Sequence, residues 1–153
     1  MSIYVLTFLI GVIAGLRSMT APAAVCWAAR LGLLPLDNTG LSFLRSEAAP
    51  YIISALAIME LIADKRPDTP SRKAALGFIV RIVTGGFCGA VLGIVSHAFA
   101  AGLIAGALGA VAGTFGGYEF RMRLARAIGK DFPAALIEDA IAIGGAAWIL
   151  SAF

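Results

Sequence analysis

Charge is what this sequence has least of. Of its 153 residues, 14% are charged and 60% hydrophobic, whereas soluble domains carry roughly 25% and 45–50%. A soluble core of this length cannot hide so much apolar surface, so lipid must cover part of it. Histidine is limited to His97, and cysteine to Cys26 and Cys88, both inside apolar runs. Without a CxxC or Cys/His spacing, zinc and redox motifs are excluded, and the two thiols read as buried small hydrophobes. One histidine with no Cys, Asp or Glu beside it makes neither a metal nor a catalytic centre. There is also no G-x-S-x-G, HExxH, Walker A or dinucleotide fingerprint, so no enzyme class is signalled and no cofactor is expected. No Lys or Arg precedes the first apolar run, no A-x-A-like site ends it and Arg17 interrupts it, so that run is expected to be the first permanent span and not a signal peptide. The pI of about 9.2 does not point to nucleic acid. The basic residues flank apolar runs, and no RNA- or DNA-binding motif accompanies them, so the expected partner is the lipid bilayer.

What is present is a series of apolar runs. A spanning helix needs about 20 mostly apolar residues, and five segments qualify: residues 3–29, 48–63, 74–96, 99–118 and 133–153. The expected fold is all-α, a single polytopic membrane helix bundle of about five transmembrane helices over residues 1–153. Asp64-Lys65-Arg66-Pro67-Asp68-Thr69-Pro70-Ser71-Arg72-Lys73 and Gly129-Lys130-Asp131-Phe132-Pro133 are the clear breaks, and Ser96-His97 is a weaker one. The mixed stretch 31–49 reads as a turn over 35–40 followed by a short interfacial helix. Five spans put the N-terminus and the second and fourth loops on one face. That face collects Lys65, Arg66, Arg72, Lys73, Arg121, Arg123, Arg126 and Lys130, whereas the other holds only Arg30 and Arg45. The bias predicts a cytoplasmic N-terminus and an outward C-terminus.

Two patterns concern packing. Gly11-Val12-Ile13-Ala14-Gly15 echoes Gly109-Ala110-Val111-Ala112-Gly113, and Ala29-Arg30-Leu31-Gly32 echoes Ala125-Arg126-Ala127-Ile128-Gly129. In five spans the first and fourth run oppositely, so a repeat would be inverted, as in many secondary transporters. Gly85-x3-Gly89-x3-Gly93, Gly102-x3-Gly106-x3-Ala110 and Gly109-x3-Gly113-x3-Gly117 are ridges that let helices approach closely. One ridge more than a five-span bundle needs predicts a homo-oligomer.

The few charges within the spans mark the candidate site. In Gly15-Leu16-Arg17-Ser18-Met19-Thr20-Ala21-Pro22, Arg17 falls near the middle of the first span, where a charge costs about 2.5–3.5 kcal/mol on insertion scales. Pro22 removes a backbone donor and Gly15 relaxes packing, so Arg17, Ser18 and Thr20 sit at a helix break that either binds an anion or carries a structural ion pair. Glu60 and Asp64 are four residues apart and share a helix face, and the fifth span adds Glu138 and Asp139. These carboxylates bind a cation, relay protons, or pair with Lys65, Arg66, Arg81 and the loop arginines. Arg17 is expected within reach of Glu60 or Glu138. Arg81, about a third of the way into the third span, reads as snorkelling to the cytoplasmic face.

The Gly15–Pro22 motif, Glu60-Leu61-Ile62-Ala63-Asp64-Lys65 with Pro67 and Ser71-Arg72, and Phe78-Ile79-Val80-Arg81-Ile82-Val83-Thr84-Gly85 together resemble the membrane family called domain of unknown function 4126. Val83 departs from an Arg-Pro form of the last motif. The resemblance covers most of the chain and implies a multi-pass bacterial inner-membrane protein, with no established activity or catalytic residues. From the residues themselves the leading expectation is a permeation protein, channel or secondary transporter, for a small solute or ion. Its site comprises Arg17, Ser18, Thr20, Glu60, Asp64, Arg81, Glu138 and Asp139. The alternatives are a non-transporting scaffold whose buried charges fix helix register, and a small enzyme acting on lipid through Asp64, Glu119 or His97.

Overall fold

The computed structural model describes residues 2–37, 39–66 and 75–153. Every regular element among them is helical: α1 (Ile3–Leu16), α2 (Thr20–Arg30), a 3-10 turn (Ser42–Arg45), α3 (Ala48–Ala63), α4 (Ala75–Val95), α5 (Phe99–Ile128) and α6 (Asp131–Ser151). Three helices, α4, α5 and α6, are long and apolar enough to cross a membrane. At 21, 30 and 21 residues they extend ~32, ~45 and ~32 Å, against about 30 Å of hydrocarbon. Helices α1 and α3 are apolar but shorter, at 14 and 16 residues. The outward face of the bundle is apolar, with Leu76, Met59, Val83 and Ile62 among the exposed side chains.

Glycine decides the centre. Gly11 and Gly15 of α1 lie against the backbone of Gly106 and Ala110 in α5, and Gly109 and Gly113 of α5 lie against Phe8 and Val12. On the other side of α5, Gly102 and Gly106 meet Gly85, Gly89 and Gly93 of α4. A Cβ at Gly106 would sit on the Gly85 carbonyl, so only glycine allows this backbone-to-backbone approach. These ridges therefore pack within the chain, and the spare ridge from which a homo-oligomer was expected does not exist.

The register of these contacts fixes helix direction. Gly11 pairs with Gly106 and Gly15 with Ala110, and Thr114 Oγ1 donates to the Gly15 carbonyl at 3.4 Å, so α1 and α5 are parallel. The two echoing segments face each other in the same direction, and the inverted repeat is overturned. The reason lies at Arg17-Ser18-Met19. Arg17 is extended (φ −142°, ψ 110°), and α2 turns back beside α1 instead of prolonging it. Ser18 and Met19 lie level with Glu60, and Trp27 with Ser54, so α3 runs antiparallel to α2. Hydropathy reads residues 3–29 as one run, but the chain folds them into two short helices that turn back at Arg17–Met19.

Helix α5 does not stop at Tyr118. Nothing between Tyr118 and Ile128 breaks a helix, and α5 runs on until Gly129 adopts a left-handed cap (φ 79°). Arg121, Arg123 and Arg126 are thus on a helical arm, not in a loop. Pro133 falls in the first turn of α6, where a missing N–H is tolerated. In the stretch 31–49 the expected interfacial helix is only the 3-10 turn, and Leu34, Leu36 and Leu44 are buried in the core below the hairpin. The turn over 35–40 includes Asn38, and the second basic loop includes Arg72 and Lys73; these three lie outside the described residues. With the direction alternating at each connection, the start of α1 and the end of α6 share one end of the bundle, and Lys65, Arg121 and Lys130 lie at the other.

Candidate functional site

Four elements bring their charges to the hairpin tip. Arg17 leaves the C-terminus of α1 fully buried, at 0% exposure. Its Nε donates to Asp139 Oδ1 at 2.7 Å, its Nη1 lies 2.6 Å from Asp64 Oδ2, and its Nη2 lies 2.5 Å from Asp139 and 3.7 Å from Glu138. Asp64 caps α3, whereas Glu138 and Asp139 lie about two turns into α6, both buried. Arg121 of α5 shares Asp64 Oδ2 with Arg17, lies 3.8 Å from Glu138 and holds Asp131 at 2.6 Å. Lys65 closes the ring on Asp139 at 2.6 Å and donates to the Leu61 carbonyl at 3.0 Å.

Glu60 serves the backbone instead. Its carboxylate accepts from Ser18 N (2.8 Å), Ser18 Oγ (2.7 Å) and Met19 N (2.8 Å). A helix N-terminus has unmet N–H groups and a positive dipole end, so a carboxylate there stabilises the reversal into α2. Of the two carboxylates expected within reach of Arg17, Glu138 lies at salt-bridge distance and Glu60 turns to the backbone instead. Glu138 is near Arg17, but the short contacts come from Asp64 and Asp139. Thr20, one residue past the tip, opens a cavity of about 420 Å³ between α2, α3 and α6. The cavity is lined mainly by Ala24, Trp27, Leu61, Ala146 and Leu150, and its far end reaches Leu31 and Leu33. Across its wall the Trp27 indole donates to Ser54 Oγ at 3.0 Å, and Tyr51 packs edge-on at 5.3 Å.

The family model described as a domain of unknown function, DUF4126, matches residues 5–152. The chain belongs to this family. No curated protein and no solved structure matches it, so the DUF4126 chain must be read from its own geometry.

Of the candidate residues, Arg17, Asp64, Glu138 and Asp139 converge on one cluster, Ser18 and Glu60 form the tip beside it, and Thr20 faces the cavity. Arg81 is buried on α4 at 7% exposure. Sequence reasoning named Lys65 and the loop arginines as possible partners of these carboxylates, and Lys65 and Arg121 do complete the cluster, Arg121 from a helix and not from a loop. The missing signal was the uninterrupted helical sequence through Arg121, which keeps that side chain on the bundle. The three residues weighed for an enzyme do not meet. Glu119 pairs with Arg123 on an exposed turn, and His97 (φ 55°) lies in the α4–α5 turn at the opposite end from Asp64.

Proposed function

We propose that this protein is a multi-pass permeation protein for a small solute, closed at its charged end. The observation that carries this reading is the cavity between α2, α3 and α6. It is flanked by the exposed side chains of Ile58 and Ile143 and reaches Thr20, beside the hairpin tip and the Arg17 ring, which would act as a plug. Intramembrane ionisable groups facing a bundle interior mark solute or proton pathways, and a broken helix at the blind end of a cavity is where backbone groups become available to a solute. Lys65, Arg66, Arg121, Arg123, Arg126 and Lys130 orient the plugged end to the cytoplasm. With the hairpin, this reading puts both chain ends outside, in place of the cytoplasmic N-terminus expected from five simple passes.

One observation favours a scaffold instead: the cluster is closely ion-paired, as charges that only fix helix register would be. Proteoliposome flux separates the two. Against a panel of small ions and metabolites, wild-type protein should carry at least one solute, and Ala24→Trp, which fills the cavity, should lower that flux at least tenfold while the protein stays folded. Absence of flux across the panel, or flux indifferent to Ala24→Trp, counts for the scaffold.

A further inference from the structure

We infer that Asp64 is a tethered stand-in for a singly charged oxyanion, a carboxylate or phosphate, and that the anion takes its seat between Arg17 and Arg121 when α3 moves away. This rests on the permeation reading and names the class of solute. The first argument is the geometry of the seat. One carboxylate oxygen, Asp64 Oδ2, is shared by guanidinium groups from α1 and α5, a contact that any oxyanion can reproduce. Both terminal nitrogens of Arg17 are buried with charge contacts but no aligned hydrogen bond. Arginine offers five donors in a fixed fork, so an untethered anion, free to orient itself, satisfies them better than a side chain held at a helix end.

The second argument is charge. Among the described residues of the ring, Arg17, Lys65 and Arg121 stand against Asp64, Glu138 and Asp139, so withdrawing Asp64 leaves these three cations facing two buried carboxylates. Asp131 lies on the exposed rim, with its side chain 63% exposed, where water screens it. Glu60 is occupied by the tip's own N–H and O–H donors. A monoanion restores the balance that Asp64 now supplies, whereas a cation would not.

The third argument is how little holds α3. Only Pro50 and Ala57 of its sixteen residues are buried, and among the described residues it packs mainly on α2 and the 3-10 turn. Besides the packing of Ala49, Tyr51 and Ile53, its ties are polar, with Ser54 at one end and Glu60, Asp64 and Lys65 at the other. Releasing Asp64 removes the contact that joins α3 to α1 and α5.

Trp27, hydrogen-bonded to α3, reports the movement. In a Trp148→Phe background, acetate and inorganic phosphate are titrated at constant ionic strength into protein in zwitterionic nanodiscs. Asp64→Asn should respond at least tenfold below the concentration the parent needs, and Asp64→Glu should behave like the parent. Equal midpoints for Asp64→Asn and parent, or no response beyond that of chloride, would overturn the inference. If Asp64→Asn fails to fold, hydrogen exchange on the parent decides. Anion should speed exchange in α3 and leave α4 and α5 unchanged, and an unaltered α3 overturns the proposal. A response to added phosphatidylglycerol but to neither soluble anion assigns the seat to a lipid headgroup and overturns the solute reading. Anion binding without flux defeats permeation alone, whereas flux of a neutral or cationic solute without anion binding defeats only this inference.

Discussion

At the scale of the residue, Arg17 concentrates the energetics. Removing one partner of a buried ion pair leaves the other desolvated and unpaired, at about 3–5 kcal/mol. Here Asp64 retains Arg121, and Asp139 retains Lys65, so Arg17→Ala should fall near the low end of that range. Combining it with Asp139→Ala should recover part of the loss, with a coupling of about 0.5–3 kcal/mol by thermal unfolding in mild detergent. Strict additivity would show that the contact carries no energy. Arg17 was legible in the sequence because a charge deep in an apolar run must find a partner inside the bundle, whether structural or functional. Of its partners, Glu138 was named from the sequence, but the closer Asp64 and Asp139 were not. Glu60 and Asp64 share a helix face, but spacing does not say that one reaches the hairpin's backbone and the other the guanidinium.

At the scale of the element, the bundle depends on backbones in contact. Overpacking a core costs typically 1–3 kcal/mol when side chains can shift, and at Gly106 the obstacle is the Gly85 carbonyl and the Gly89 backbone. Gly106→Leu should therefore abolish a monodisperse, folded protein in size-exclusion chromatography. Gly144→Leu, where a Cβ meets open space, should leave it intact. Equal tolerance of both would contradict the α4–α5 packing. The sequence showed the glycine ridges and most helix limits, with α3 falling on residues 48–63 and α4 and α6 within two residues of their expected limits. It did not show the end of α5, because a charged helix that has left the apolar layer looks like a loop to hydropathy.

At the scale of the whole molecule, one missed reversal changes the topology. Because α1 and α5 are parallel, Ser2 and Phe153 lie at the end opposite Lys130. Cysteines introduced at Ser2 and Phe153 should react with an impermeant maleimide from the same side of sealed vesicles, and one at Lys130 only from the other. Labelling of Ser2 together with Lys130 would restore five simple passes. Counting apolar runs could not reveal this, since two short antiparallel helices and one long helix have the same hydropathy. The hairpin also sets an order in time. Arg17 emerges from the ribosome 122 residues before its hydrogen-bond partner Asp139, which at about 5–20 residues per second is a wait of roughly 6–24 s. Throughout that interval its guanidinium lacks the α6 carboxylates, and until Asp64 arrives only water or headgroups can meet it, so the α1–α2 tip is not fully paired until α6 arrives. The first helices synthesised are thus the last to be locked, and nascent chains that end before Asp139 remain open to quality-control proteases.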